Sequence, residues 1–572
     1  MFTDYVFTIS QYSVALLSVL ILCRCLRSML SERTDPEIWA YVRVGKDTLP
    51  VTHWENLIGR SRSADVRIFG EGIRRIHAVL RRSAKGIWFV HDVFGRGSVW
   101  VNGVPVTEKG LPLQNGDRIN LGGSCIRFLS MSTKQLDKNE KKRAWAGTKV
   151  SPAVTLAELS LLQAFLLLQH LYSSSRDERT SIVLAFATLF VLEWALYEAL
   201  RLFNRLGFEI ELLALFLTTL GLSVSASSQP EDLYKQVILI TAAVLLFVLS
   251  GWWLRGLRRT YALRIPAGLL ALALLALNIF TSDSVNGAKS WLEFGGFSFQ
   301  PSEFVKALYI YVGAATLDVL YRRQNLYSFL LYSACCVIAL ALIGDFGTAL
   351  IFFLTFLVIS FMRSGSLATV LLAVTGAGMA GFLAVSIKPY IARRFAAWGH
   401  VWEDVYDTGY QQTRALSAAA SGGLIGKGAG SGWLKNITAS DTDMVFAYVC
   451  EEEGLIVAVC MVLAVVLMAF FAVRCARSGR SAYYAIAACA ASAMLLVQLA
   501  LNAFGSVDLL PFTGVTFPFV SRGGSSLLSC WMLMAYLKSV DNRKGASFAV
   551  RPVESEEPVF PEEEENAKEG KA

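Results

Sequence analysis

Charge is scarce in this 572-residue chain: 17% of it is Asp, Glu, Lys or Arg, against roughly 25% in a soluble globular protein. That deficit excludes a large water-soluble enzyme. Histidine is scarcer still, with five residues, and the ten cysteines include no Cys-x-x-Cys pair and no His/Cys cluster at zinc-ligand spacing. Neither a zinc module nor a disulfide framework is implied. Most of the cysteines lie in apolar runs (Cys335, Cys336, Cys450, Cys460, Cys489, Cys530), where a packing role is expected. What stands in place of charge is apolar surface, 54% of the residues, with a mean hydropathy of +0.48. The formal net charge of +8 does not point to nucleic acid, because Lys and Arg cluster beside apolar runs, where such clusters fix topology in a bilayer.

Thirteen apolar runs can be read along the chain, near 5–22, 154–172, 181–201, 209–227, 235–253, 262–280, 302–320, 326–344, 347–362, 366–387, 443–474, 482–505 and 521–538. At about 20 residues per crossing, these predict a multi-pass α-helical membrane protein. The first run has no basic segment before it and no small-residue cleavage signal after it, so it reads as a retained anchor, residues 1–23. If every run crosses, then Arg201 and Arg205, Arg255, Arg258 and Arg259, Arg322 and Arg323, Arg363, Arg474, Arg477 and Arg480, and Lys538 and Arg543 share one side. The excess of positive charge makes that side cytoplasmic and puts the loops at 281–301, 388–442 and 506–520 outside. Two runs within 154–208 are weakened by Glu158, Glu193 and Glu198.

Between the anchor and a charged linker at 133–153, residues 38–132 have another character. Short alternating segments such as Ile87, Phe89 and Val99, Val101 are separated by Gly, Asn and Asp turns. This predicts a small β sandwich on the cytoplasmic side. At the other end, 541–572 holds a run of glutamates from Glu554 with two prolines among them, a composition that predicts a solvated, disordered cytoplasmic tail.

Several segments carry chemistry. Asn286 to Trp291 and Gln300 to Lys306 put Glu303 and Lys306 one helical turn apart at the mouth of a run; such a pair either serves a site or locks two helices. The glycine-rich stretch Ser421 to Gly428 lacks the strand-to-helix context of a nucleotide loop and is weak evidence for a phosphate cradle. Asp441, Asp443, Glu451, Glu452 and Glu453 crowd the entry to one run, where ionisable groups are functional candidates, although Asp441 also suits a helix cap. In the last segment, Leu509 to Leu528, two prolines and three glycines break regularity at membrane depth, which is tolerated where backbone is packed in protein or lines a polar cavity.

Five of these motifs, NGAKSW, QPSEFVK, GDFGTAL, DTDMVFA and the LLPFTGVTFPFVSRGGSSLL block, occur in this order and resemble the SEDS family of FtsW/RodA type. The resemblance covers 209–540. It implies a glycosyltransferase that polymerises lipid II, the undecaprenyl-pyrophosphate-linked disaccharide pentapeptide, at the outer membrane face, working with a class B penicillin-binding protein. The family's catalytic Asp maps onto Asp443 as general base. Implied substrate-binding residues are Trp291, Glu303, Lys306, Arg393, Arg394, Gln411, Ser521 and Ser525, with Arg393, Arg394 and Lys306 facing the diphosphate and Trp291 stacking on sugar or anchoring at the interface. Two positions depart from the family pattern: Asp441 stands for the usual His and Arg522 for a frequent Tyr. A second carboxylate beside Asp443 would either raise its pKa or join it in holding a divalent cation such as Mg or Mn. A lipid-linked precursor transporter and a catalytically inactive scaffold are the rival readings.

The β segment resembles a forkhead-associated (FHA) domain through Ile58-Gly59-Arg60, Arg74-Arg75-Ile76-His77, Val101-Asn102-Gly103 and Leu113 to Gly122. The resemblance implies a phosphoprotein partner or a docking partner, met by Arg60, Arg74 and Arg75. Arg74 replaces the usual Ser, and Gly95 and Gly97 stand where Ser and Asn are usual, removing donors that hold a phosphothreonine peptide.

Overall fold

The computed structural model describes residues 2–31, 36–61, 64–83, 86–93, 97–107, 110–142, 150–282, 291–294, 297–318, 323–364, 367–387, 389–543 and 545–549. The acidic tail from Arg551, together with Gly95, Lys289 and Arg322, lies outside them.

A long helix, α1 (Phe2–Ser31), leads into two β sheets. One sheet has the spatial order Asp47–Val51, Ala40–Val44, Ser124–Ser130, Arg118–Leu121, Val99–Val101, Val104–Pro105. The other runs Val66–Arg67, Glu55–Gly59, Ala78–Arg82, Trp88–Asp92, Leu111–Leu113. Strand Arg118–Leu121 shows why they stack: Ile119 and Leu121 are buried while Arg118 and Asn120 are exposed, the two-residue alternation of a sheet with one dry face. Trp39, Val42, Ile58, Leu80, Val90 and Phe128 fill the space between the sheets.

After α2 (Thr133–Lys142) the chain is helical: α3 (Pro152–Ser173), α4 (Glu178–Leu202), α5 (Glu209–Ser228), α6 (Leu233–Trp253), α7 (Leu257–Ala262) and α8 (Arg264–Thr281). A hairpin, Leu292–Phe294 paired with Phe297–Phe299, precedes α9 (Pro301–Asp318), α10 (Arg323–Ile343), α11 (Phe346–Ser364), α12 (Leu367–Ile387), α13 (Pro389–Ala397) and α14 (Tyr410–Gly422). The last set is α15 (Ser440–Asp443), α16 (Val445–Glu452), α17 (Leu455–Ala476), α18 (Ala482–Ser506) and α19 (Gly524–Val540). A helix covers each apolar run, and among the described residues nine helices are long and apolar enough to cross a bilayer. The chain is a multi-pass membrane protein. α9, α11, α12 and α19 fall outside that nine; Glu303, Lys306 and Asp318 in α9 show why apolar length alone passes over it.

α5 is apolar on every side and almost wholly buried, the signature of a helix at the centre of a bundle; α1, α3, α4, α6, α17 and α19 surround it. Its charged start is neutralised by the end of α19 and the residues just after it: Arg543 donates to both oxygens of Glu209 (2.8 and 2.9 Å), and Lys538 lies 2.8 Å from Glu211. Buried charges persist when paired in this way. The acids of the two N-terminal runs are likewise matched. Arg24 meets Glu158 at 2.9 Å, Ser160 and Gln163 donate to Glu193 (2.7 and 2.8 Å), and Arg201 lies 3.2 Å from Glu198.

One expectation changes. The run 443–474 is not one helix: it starts on the last residue of α15 and is broken at Met444 and again at Gly454, where φ is +90° and a Cβ would lie 2.4 Å from the Ile425 carbonyl carbon. Only α17 crosses, and Asp443 belongs to the connection before it. At its far end, α17 leads to the β domain: Trp54 N–H donates to the Arg480 carbonyl (2.7 Å), Arg480 forks onto Glu37 (3.0 and 3.2 Å), and Arg81 lies over the Tyr261 ring. The 22 residues of α17, at about 1.5 Å per residue, therefore separate the β domain from the Asp443 region by roughly 33 Å.

Candidate functional site

Asp443 ends a single helical turn entered through Ala439, a non-glycine residue at φ +60°. Four hydrogen bonds, two of them forming a bridge through Asn502 of α18, staple the turn to the irregular segment 511–523 in three places. Asn502 Nδ2 donates to the carbonyls of Asp443 (3.0 Å) and Val515 (2.8 Å), Ser521 Oγ to the carbonyl of Thr442 (2.6 Å), and Arg522 N–H to the carbonyl of Asp441 (2.8 Å). Gly514, at φ +69°, passes beside the carboxylate; a Cβ there would lie 3.2 Å from Asp443 Oδ2. The prolines and glycines that break helicity in this block thus let its backbone wrap the Asp443 turn.

Together these elements enclose a cavity of about 860 Å³. Asp443, Trp291, Arg394 and Ser525 line it, joined by Asp345 and Arg522. Burial pushes the Asp443 carboxyl up to about 6, against the opposing pull of a Thr442 hydrogen bond and the Arg394 guanidinium, with Asp441 adding to the rise. Arg394 also donates to the Thr513 carbonyl (3.2 Å). The buried hydroxyls of Ser525 and Thr513 line the same space without a hydrogen-bond partner among the described residues, a demand that a polar ligand would meet. Asp345 caps α11 through the Thr348 N–H (2.9 Å) and accepts from Gln300 (3.2 Å).

The remaining sequence candidates lie elsewhere. Glu303 and Lys306 form a buried ion pair at 2.6 Å, both almost wholly inaccessible. Ser521 is spent on backbone, accepting from Phe517 N–H while donating to Thr442, and Gln411 donates to the Thr438 carbonyl (3.1 Å). The side chain of Arg393 is outside what the structure describes. Glu451 and Glu452 do not line the cavity and instead hold the residues that follow the glycine-rich stretch: Glu452 accepts from the N–H groups of Gly430 (3.0 Å) and Gly432 (3.2 Å), Glu451 from those of Trp433 (3.1 Å) and Leu434 (2.9 Å). Within Ser421 to Gly428 itself, the N–H groups of Lys427 (2.9 Å) and Gly428 (2.8 Å) donate to the backbone carbonyls of Glu451 and Glu452, so the donors a phosphate cradle would need there are taken by the protein.

Sequence reasoning left Arg522 and Asp345 out of the site. Arg522 was marked only as a departure from Tyr. The structure couples it to the other departure, for its guanidinium lies 3.3 Å from Asp441 Oδ2 and 3.4 Å from Asp232, and Ser228 donates to the same Asp441 oxygen (3.1 Å). A positive residue opposite a negative one, at two positions that both differ from the usual pattern, was the available signal.

On the β domain, Arg60, Arg74 and Arg75 are exposed neighbours, linked by backbone bonds from Arg60 N–H to the Arg74 carbonyl (3.0 Å) and from Ser61 N–H to the Arg75 carbonyl (2.9 Å). Ser98, the hydroxyl after Gly97, is turned inward onto Asp92 (3.1 Å), and Asn102 is engaged with Asp117 and Arg118 (each 2.9 Å).

Comparison with known proteins gives the same division. A family model described as a cell cycle protein, FtsW/RodA/SpoVE, matches residues 212–545, and the FHA domain model matches 56–122. Among similar curated proteins, the peptidoglycan glycosyltransferase RodA of Mycobacterium tuberculosis is 29% identical over 302 residues, which are 50% of this chain and 64% of that protein. The probable peptidoglycan glycosyltransferase FtsW of Escherichia coli is 30% identical over 329 residues, 54% of this chain and 76% of that protein. A solved structure described as a peptidoglycan synthase complex aligns with 57% of this chain and 95% of its own, at 25% identity and a TM-score of 0.49. The chain thus spans just under two thirds of the mycobacterial relative. With a family match over more than half its length, the chain belongs to the FtsW/RodA/SpoVE family of cell cycle proteins and carries an FHA domain ahead of the family segment.

Proposed function

We propose that the chain is a peptidoglycan glycosyltransferase that polymerises lipid II, with Asp443 as general base. The observation that carries this reading is the cavity itself, where a half-buried carboxylate poised near pH 6 faces two guanidinium groups. At neutral pH Asp443 is ionised, yet more basic than a solvated carboxylate, the compromise a general base needs. It takes the proton from the acceptor sugar hydroxyl as that oxygen bonds to the donor anomeric carbon. The bond from that carbon to the diphosphate oxygen breaks, and the lipid diphosphate leaves with the electron pair. Arg394 and Arg522 meet the negative charge that grows on it. Trp291, half-exposed at the cavity, offers a ring for a sugar face, and the hydroxyls of Thr513 and Ser525 offer hydrogen bonds. Lys306, neutralised by Glu303, stabilises the bundle instead.

Among the described residues no three His, Cys, Asp or Glu side chains converge as a metal-binding group, and Asp441 is committed to Arg522 and Ser228. Were a divalent cation to act here, Asp443 would be the carboxylate to hold it, and the ion would supply positive charge against the leaving diphosphate. The arginine distribution supports a cavity on the outer face, with the FHA domain and C-terminus in the cytoplasm. A class B penicillin-binding protein is the expected transpeptidase partner, and Arg60, Arg74 and Arg75 are the expected contact for a phosphorylated or docking partner.

The test is incubation of the purified full chain with labelled lipid II, with and without a class B penicillin-binding protein and without any ion gradient. Glycan polymer in the product supports the reading. Its absence under all conditions would favour a transporter or a scaffold.

A further inference from the structure

The family match begins at residue 212, yet two helices that precede it reach the segment carrying Asp443. The glycine-rich loop from Gly426 has positive φ at Gly426, Gly428 and Gly430, a backbone with many alternative conformations open to it. Helix α3 holds it by two bonds: Ala429 N–H donates to Gln169 Oε1 (2.8 Å), and Ser173 Oγ donates to the Ala429 carbonyl (2.9 Å). Helix α1 adds a third, from Gln11 Nε2 to the Gly426 carbonyl (3.2 Å), while Phe7 packs so close that a Cβ on Gly428 would lie 2.2 Å from its ring. Gln169 is completely buried, so its side chain has no freedom to track a moving loop.

From this loop the geometry leads to Asp443 along both directions of the chain. Upstream, Trp433 and Leu434 run into a short 3-10 turn, Leu434–Asn436, whose successor Ile437 accepts from Ser440 N–H at the start of α15. Downstream, Glu451 and Glu452 of α16 are clamped by the loop's N–H groups, and Ser227 of α5 donates to Glu452 (2.6 Å). Asp443 hangs between two anchors that share one support. A third link runs from His170 of α3 through Ser223 (2.9 Å) to Glu453 (3.1 Å).

We infer that α1 and α3 are working parts of the active site, with Gln169 the positioning residue that fixes Asp443 through the 426–434 loop. This rests on reading Asp443 as the base. Without the Gln169 oxygen a buried N–H loses its acceptor, the loop relaxes, and the carboxylate loses the alignment on which proton transfer depends.

The test uses the full chain with Gln169→Met, which keeps length and apolar packing but removes the oxygen, and Gln169→Glu, which as a buried neutral acid retains it. Amide hydrogen exchange and lipid II polymerisation are read together. For Gln169→Met, exchange rises about 10-fold in 427–434 and in 440–446, as expected for one buried hydrogen bond, while α18 is unchanged. Its kcat falls at least about 10-fold with KM moved less than about 2-fold, since misplacement harms the chemical step. Gln169→Glu restores both. Ser173→Ala, a milder change, gives a smaller rise in the same two segments, and decides the matter should Gln169→Met fail to fold. Unchanged exchange at 440–446, equal behaviour of the Met and Glu variants, or a raised KM at constant kcat would overturn the inference. A wild-type chain that makes no polymer would sink the assignment of the base alone, because exchange at 440–446 tests the positioning claim by itself.

Discussion

Replacing the proposed base should make the protein more stable while removing its activity, and the stability gain should depend on pH. The Asp443 carboxyl titrates near 6 in the folded chain, against an ordinary value of 3.8, chiefly because burial disfavours its charge. Between those values the folded state holds a proton that the unfolded state has released, so stability falls as pH rises through that window and the full cost is present above about pH 6. At about 1.4 kcal/mol per pH unit, the difference amounts to about 3 kcal/mol, an upper bound because the carboxylate borders a cavity that water can enter. Asp443→Asn carries no such charge. In detergent, by thermal or denaturant unfolding, it should exceed wild type by roughly 1–3 kcal/mol at pH 7.5, with the gap closing toward pH 4. A variant that is no more stable than wild type at pH 7.5, or whose advantage is the same at pH 4, would refute the claim that the site holds this carboxylate at a cost.

Further expectations concern the neighbouring charges, the topology and the FHA domain. Arg522→Ala leaves Asp441 with Ser228 as its remaining side-chain partner and should cost about 2 kcal/mol, less than the 3–5 typical of a fully buried pair; Asp441→His with Arg522→Tyr should recover most of that, and strictly additive single effects in the double-mutant cycle would deny the coupling. Cysteines placed at Asn102 and Trp291, in a chain whose exposed Cys23, Cys125 and Cys335 are serine, should react with an impermeant reagent in intact cells at 291 alone. Labelling at 102 would invert the assigned sidedness. The full chain should bind phosphothreonine and phosphoserine peptides weakly, with little discrimination and strong salt sensitivity, and Arg60→Ala should abolish most of it; micromolar, salt-resistant, threonine-selective binding would contradict the loss of the Ser and Asn donors.

Apolar runs and arginine clusters were enough to locate every long helix, because bilayer thickness imposes a length that sequence displays directly. The break at Gly454 could not be placed from the sequence, although Glu451, Glu452 and Glu453 stand directly before it, because its cause is the closeness of the Ile425 backbone some thirty positions earlier. The run's length, well beyond one crossing, was the clue. Among candidate site residues, Asp443, Trp291, Arg394 and Ser525 meet at one cavity. Lys306 does not, because a cation one turn from Glu303 in a dry helix neutralises that carboxylate before it can reach a ligand. Arg522 illustrates the opposite case, where a residue unlike its family counterpart was read as a loss, and only the fold shows its partner Asp441 at 3.3 Å. The glycine-rich loop could not be interpreted from spacing alone, since whether its N–H groups face a ligand or Glu451 and Glu452 is decided by α16.

The most direct test of the account is the rate of glycan synthesis from labelled lipid II by purified wild type and by Asp443→Asn, each first shown to be folded and inserted. Loss of a general base predicts a fall of at least about 10²-fold in the variant, with its fold intact and its stability raised. Polymerisation by well-folded Asp443→Asn at close to the wild-type rate would contradict it.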